Sequence, residues 1–152
     1  MNKQKLELSI LINASKEKIW HVLLDDETYR KWTSAFMEGS YAEGNWEEGS
    51  KMYFKGPPSG EGMVQGMVSR IKLHKPNDII TIEHIGILKD NIEDYESEEA
   101  KKWGGSDETY RLEAKDSGNI LFIEMDIEEE YLEWFKTTWL KALEIVKELS
   151  EK

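Results

Sequence analysis

The residue types that could do chemistry in this 152-residue chain are few and scattered. His84 lies in the β-branched run Ile79–Ile87, on the same alternating face as Ile80 and Ile82. From there it could act as an internal acid or base, or donate a hydrogen bond to a ligand carbonyl. It could equally be a partly buried or edge histidine satisfied by a neighbour. His21 and His74 fall at surface or element-end positions, so the three histidines have no metal-ligand spacing, and HExxH is absent. There is no cysteine, which removes disulfides, thiolate nucleophiles and cysteine-ligated zinc. The acidic run Glu124, Asp126, Glu128, Glu129 and Glu130 invites a carboxylate-pair or Ca²⁺ reading. No loop geometry supports either, and alternation puts Glu124 and Asp126 outside, so the run reads as solvated surface. Gly56–Gly62 lacks the Lys-Ser/Thr and helix of a phosphate loop. The expectation is no catalytic residue, no metal and no cofactor.

A second set suits binding rather than catalysis. Trp32, Phe36, Phe54, Met67, Tyr110, Met125, Phe135 and Trp139 are aromatic or thioether side chains on inward faces. Such groups suit an irregular apolar ligand, and they equally suit a filled core. Gln65 and Ser69 interrupt the inward row of a long strand; as polar groups facing inward they would need partners. Arg111, beside Tyr110, could catch a carboxylate or pair across strands with Glu83 or Glu124. With Gln65 and His84 added to the eight, these are the candidate ligand-binding residues.

The totals limit what those residues can serve. Hydrophobic residues are 39% and charged residues 34%, an ordinary globular composition. Acidic side chains outnumber basic ones 31 to 20, for a formal charge of −11. That field repels phosphate backbones and anionic membranes, so nucleic acid and membrane are not expected partners. No apolar run is long enough to cross a bilayer, and Leu6–Ile12 is too short for a signal peptide and interrupted by Glu7. The cytoplasm is the expected location.

The elements that must position these residues read in a simple order. Leu6, Leu8, Ile10 and Ile12 alternate as a first strand, and Ser15 then caps a short helix carrying Ile19, Trp20, Val22 and Leu23. A second short helix spans Glu27–Trp32. Strand signals follow at Glu38–Ala42, Gly49–Lys55, Gly62–His74 and Ile79–Ile87, with the long third one facing inward at Met63, Gln65, Met67, Ser69, Ile71 and Leu73. Lys89–Gly105 is acidic and apolar-poor, and reads as a surface excursion with a helical turn near Glu93–Lys101. Thr109–Lys115 and Asn119–Ile127 form a hairpin. Glu130–Glu151 is one long amphipathic helix with Tyr131, Trp134, Phe135, Trp139, Ala142, Leu143 and Val146 on its apolar face. Strands followed by a helix over one face make an α+β fold: a curved antiparallel sheet of six to seven strands under a long C-terminal helix.

Three stretches carry a family resemblance. They are Ile12-x-Ala14-Ser15-x-x-x-Ile19-Trp20-x-x-Leu23 with Tyr29 and Trp32, Trp46-Glu47-Glu48-Gly49-Ser50, and Thr138-Trp139-x-x-x-Leu143-x-x-Val146-Lys147. In this order they resemble the START-like or SRPBCC superfamily, the birch-pollen-allergen-like helix-grip fold. The branch they resemble is named after the activator of the heat-shock protein 90 ATPase (AHSA-type). The resemblance covers residues 1–152 as one domain. Thr138 stands where that branch usually has glycine, so the helix is expected to approach the sheet less closely. The resemblance implies a hydrophobic cavity between long helix and sheet; members bind lipids, sterols, polyketides and plant hormones, and some are cyclases or dehydratases.

Three functions follow as expectations. The first is a small-molecule-binding module for an apolar or aromatic ligand. The second is a chaperone cofactor; full activators also carry an N-terminal domain for which this chain leaves no room. The third is a cyclase- or dehydratase-like enzyme resting on His84 or Tyr110, ranked last because no nucleophile–base pair is visible. A monomer or a homodimer is compatible with the exposed edge strands.

Overall fold

Alternating apolar runs build a sheet, and helical spacing builds its cover. The computed structural model describes residues 3–56 and 64–152, with side chains from 66 onward in the second segment. The glycine–proline loop, the start of the long strand at Gly62 with Met63, and the Gln65 side chain lie outside the described residues. The order is β1 (Lys3–Ile12), α1 (Lys16–Leu24), α2 (Asp26–Thr33), β2 (Tyr41–Glu43), β3 (Lys51–Lys55), β4 (Val64–Lys75), β5 (Ile79–Lys89) and β6 (Ile92–Asp94). Then come α3 (Glu98–Trp103), β7 (Ser106–Lys115), β8 (Gly118–Glu128), a single 3₁₀ turn and α4 (Leu132–Ser150). The antiparallel sheet runs β1-β8-β7-β5-β4-β3-β2, with β6 paired to β5. This is the helix-grip arrangement expected. Its eight strands exceed the six to seven expected because the excursion supplies β6.

Local chemistry sets the boundaries. Ser15 Oγ accepts the Lys18 amide at 3.1 Å and starts α1, which buries Ile19, Trp20, Val22 and Leu23. Asp25 is extended between α1 and α2, so the two stay separate helices. In the Trp46–Gly49 turn, Trp46 takes a φ of 62°, a conformation that costs a non-glycine residue about 1–2 kcal/mol. Its ring rests on Tyr29 and Phe54, and its carbonyl accepts His74 Nδ1 at 2.8 Å, which offset that cost. His74 Nε2 in turn accepts from Trp20 Nε1 at 3.0 Å.

Alternation slips in β4 for a stated reason. Register shifts at Val68/Ser69 and Ile71/Leu73 pair Ser69 with His84 and Ile71 with Ile82, but Leu73 with Thr81. Leu73 therefore leaves the inward row, and His74 sits opposite buried Ile80 instead. On α4, Trp134 is exposed rather than on the buried face, while Thr138 is buried. Glu128, in the middle of the acidic run read as solvated, is buried.

The core lies between the sheet's inner face and the C-terminal part of α4. Leu6, Ile12, Leu112, Leu121, Ile123 and Ile127 pack in one cluster with Ala142, Leu143 and Val146. Fully burying a side chain of this kind contributes roughly 1.5–3 kcal/mol. Trp32 and Trp139 are the largest fully buried side chains, their ring centroids 5.5 Å apart. Each indole N–H is satisfied: Trp32 donates to the Leu23 carbonyl at 3.2 Å, and Trp139 to the Met125 sulfur at 3.2 Å.

One carboxylate ties the excursion to β3. Glu93 of β6 accepts from Tyr53 Oη at 2.5 Å, from Lys51 Nζ at 3.0 Å and from the Tyr95 hydroxyl. Those three donors, the Tyr53 and Tyr95 hydroxyls first, pull the Glu93 carboxyl down from its ordinary 4.5 to about 2. A depressed carboxylate stabilises the fold above its unfolded value and loses that contribution as pH falls through its folded one. Glu93→Gln is therefore expected to lower the melting temperature at pH 7. In thermal melts followed by circular dichroism, the gap to wild type should close as pH falls from about 4.5 to about 2. A gap independent of pH would show that the carboxylate's charge is irrelevant there.

Candidate functional site

The N-terminal part of α4 does not reach the sheet. Trp134 and Phe135 there, with Trp139 further along the helix, Trp32 of α2 and Phe36 just beyond it, line one gap together with Phe54, Met67, Ile82, His84, Tyr110 and Met125. The gap is a cavity of about 330 Å³. Small-molecule sites begin at about this size. Met37 and Trp134, each 52% exposed, mark its mouth. Aromatic contacts brace the rim. Phe36 lies 5.0 Å from Trp139 and 6.2 Å from Phe135 between ring centroids. Trp103 of α3 stacks on Tyr131 at 6.2 Å and meets Phe135 edge-on at 6.0 Å.

The structure brings nine of the ten candidate residues to this cavity: Trp32, Phe36, Phe54, Met67, His84, Tyr110, Met125, Phe135 and Trp139. Gln65, the tenth, has its side chain outside the described residues. Trp32, Tyr110, Met125 and Trp139 are buried, so they form core and cavity wall at once. Phe36, Phe54, Met67 and Phe135 are only partly buried. Gly66 lines the wall where β4 meets β3; a Cβ there would sit 2.1 Å from the Phe54 carbonyl oxygen, so no larger residue fits without a backbone shift.

One end of the cavity is polar. Ser69 Oγ lies 2.7 Å from His84 Nδ1, and His84 Nε2 lies 3.0 Å from Glu108 Oε1. The Tyr110 hydroxyl donates to the other oxygen of Glu108. An ionised carboxylate only accepts, so His84 Nε2 carries a proton toward Glu108. With the imidazole neutral, Nδ1 accepts from the Ser69 hydroxyl. Ser69 has no exposed surface, and both nitrogens of His84 are engaged within the protein. Glu108 also lines the cavity, and its two hydrogen bonds leave acceptor capacity unused. Burial first, and then the charge of Glu108, hold the Tyr29 and Tyr110 phenols well above their ordinary range, so both stay protonated.

Sequence reasoning passed over Glu108, Trp103, Met37 and Tyr29 as lining residues. Glu108 was legible: it lies two residues before Tyr110, on the same face, and starting the strand at Thr109 cut it off. β7 begins at Ser106, and Glu108 pairs with inward Ile82. Trp103 was not legible, because the acidic segment around it carries no inward pattern. Arg111 takes neither expected role; it pairs with Glu113 at 2.5 Å and covers the Phe122 ring at 4.2 Å. Among the described residues no cluster of His, Asp and Glu could hold a metal ion, and no helix is long and apolar enough to cross a membrane.

Residues 13–129 match the family described as Activator of Hsp90 ATPase homolog 1-like protein. The chain belongs to that family. No curated protein matches the sequence significantly. Among solved structures, the Aha1 dimer from Colwellia psychrerythraea is similar at 20% identity and a TM-score of 0.72, covering 97% of this chain and 96% of that one. A protein from Chromobacterium violaceum is similar at 21% identity and a TM-score of 0.69, with 97% of each chain covered. CalU16 from Micromonospora echinospora shares 17% identity at a TM-score of 0.64, over 97% of this chain and 76% of its own. At these identities the likeness is one of fold.

The polar chain sets a stability test. His84→Ala leaves buried Ser69 without its partner and removes one donor from Glu108. Each buried group left unpaired costs about 1–3 kcal/mol. The variant should lose about 2 kcal/mol or more in urea denaturation, and Ser69→Ala less. An unchanged midpoint for His84→Ala would mean the chain contributes nothing to the fold.

Proposed function

We propose that the chain acts as one small-molecule-binding domain, holding a modest apolar or aromatic ligand beneath the first turns of α4. The observation that carries this reading is the cavity of about 330 Å³ bounded by aromatic rings and methionine. Unfilled volume forfeits dispersion contacts, so a ligand entering it gains burial without opening new space. The family's fold is compatible with this use and does not select a ligand. A second reading, contact with a chaperone, is supported by the family's description and by exposed Trp134 and Leu140 on α4.

Native mass spectrometry of freshly purified protein, with the denatured mass beside it, tests the first reading. An excess mass lost on denaturation is expected. The variant Met67→Trp adds bulk inside the wall. It should abolish that excess while keeping or raising the melting temperature, because it replaces void with contacts. An excess mass retained by Met67→Trp would place the bound molecule elsewhere. A clean mass for wild type, followed by no response to apolar acids, amines and aromatics in a thermal-shift screen, would sink the binding reading and favour the chaperone one.

A further inference from the structure

The cavity is apolar except at one end, and that end has a sign. Glu108 presents a carboxylate to it, fixed by His84 Nε2 at 3.0 Å and by the Tyr110 hydroxyl. A carboxylate has about four lone-pair directions, and these two donors use two. Among the described lining residues, His84 is committed to Ser69 and Glu108, and Lys55 is paired to Glu43 at 3.0 Å. Aromatic rings line the same cavity as this carboxylate. Tyr110 lies 5.8 Å from Trp139 and 6.2 Å from Trp32, and Phe54 lies 6.2 Å from His84. A carboxylate in a cavity lined mostly by aromatic rings suits an organic cation, through a charge-assisted hydrogen bond and ring quadrupoles together. The formal charge of −11 draws cations toward the mouth and repels anions.

Resting on the binding reading above, we propose that the ligand is an apolar amine, bound as its ammonium on Glu108 with its hydrocarbon or aryl part among Trp32, Phe36, Phe135 and Trp139. An anionic ligand would bring a second negative charge against Glu108 in a low dielectric, where like charges repel strongly. A neutral alcohol would make the hydrogen bond to the carboxylate without the attraction between opposite charges.

Three probes that differ only in the headgroup test this: phenylbutylammonium, phenylbutanol and phenylbutanoate, titrated into the full chain by calorimetry at pH 7. The ammonium should bind about tenfold or more tighter than the alcohol, and the carboxylate weakest. In Glu108→Gln, which keeps the side chain's shape, the ammonium-to-alcohol ratio should fall close to one. Its melting curve would be recorded alongside. Alcohol or carboxylate binding as tightly as the ammonium in wild type overturns the amine proposal and leaves the cavity reading standing. A preference that persists in folded Glu108→Gln also overturns it, since the overall charge would then be responsible. Binding of none of the three overturns both readings.

Discussion

Everything else depends on where along its length α4 meets the sheet. From Thr138 to Ser150 its inward side chains are buried, and small Ala142 with Leu143 and Val146 allows close packing on the sheet core. From Tyr131 to Phe135 they are not; this part rests on Phe36 after α2 and on Trp103 of α3. The helix thus behaves as a beam anchored at one end and propped on aromatic rings at the other. The space beneath the propped end is the cavity. Voids are costly because their walls lose dispersion partners. Ring-to-ring contacts along the rim, at centroid spacings in the favourable range of about 4.5–7 Å, offset part of that loss.

The second constraint is electrostatic. A carboxylate can sit among apolar walls only if hydrogen-bond donors compensate what it lost from water. Glu108 has them in His84 and Tyr110, and His84 is steadied by Ser69 from the other side. Four residues from three adjacent strands, β4, β5 and β7, form one polar chain across the inner face. The chain gives an otherwise apolar cavity a direction, and any molecule bound there must present something that the carboxylate accepts. Membership in the activator family shows the fold and says nothing of this chemistry, which belongs to these side chains.

Much of this was legible from the residues. The period-two and period-3.6 patterns led to the elements outside the excursion and to the aromatic cavity set, because one-faced burial imposes its spacing on the sequence. What escaped has physical causes. The bulges of β4 insert residues that reverse alternation, so Leu73 was placed inside and His74 outside. Trp134 sits on the apolar arc of its helix yet faces solvent, because the propped end of α4 has no sheet beneath it. The excursion looked like solvated loop since Glu93 ties it to Lys51 and Tyr53, which are far away in the chain, a contact no local pattern records.

The sequence by itself determined the α+β order of strands under a long C-terminal helix, most of the inward faces, and the lack of cysteine chemistry, because these follow from composition and local periodicity. Only the tertiary structure decided that His84 is held at both nitrogens, that Glu108 is the group turned toward the cavity, and that Trp103 closes its side. Those facts depend on register between strands and on contacts between residues far apart in the chain. Local pattern records which face a residue takes, and register and helix placement decide what it meets there.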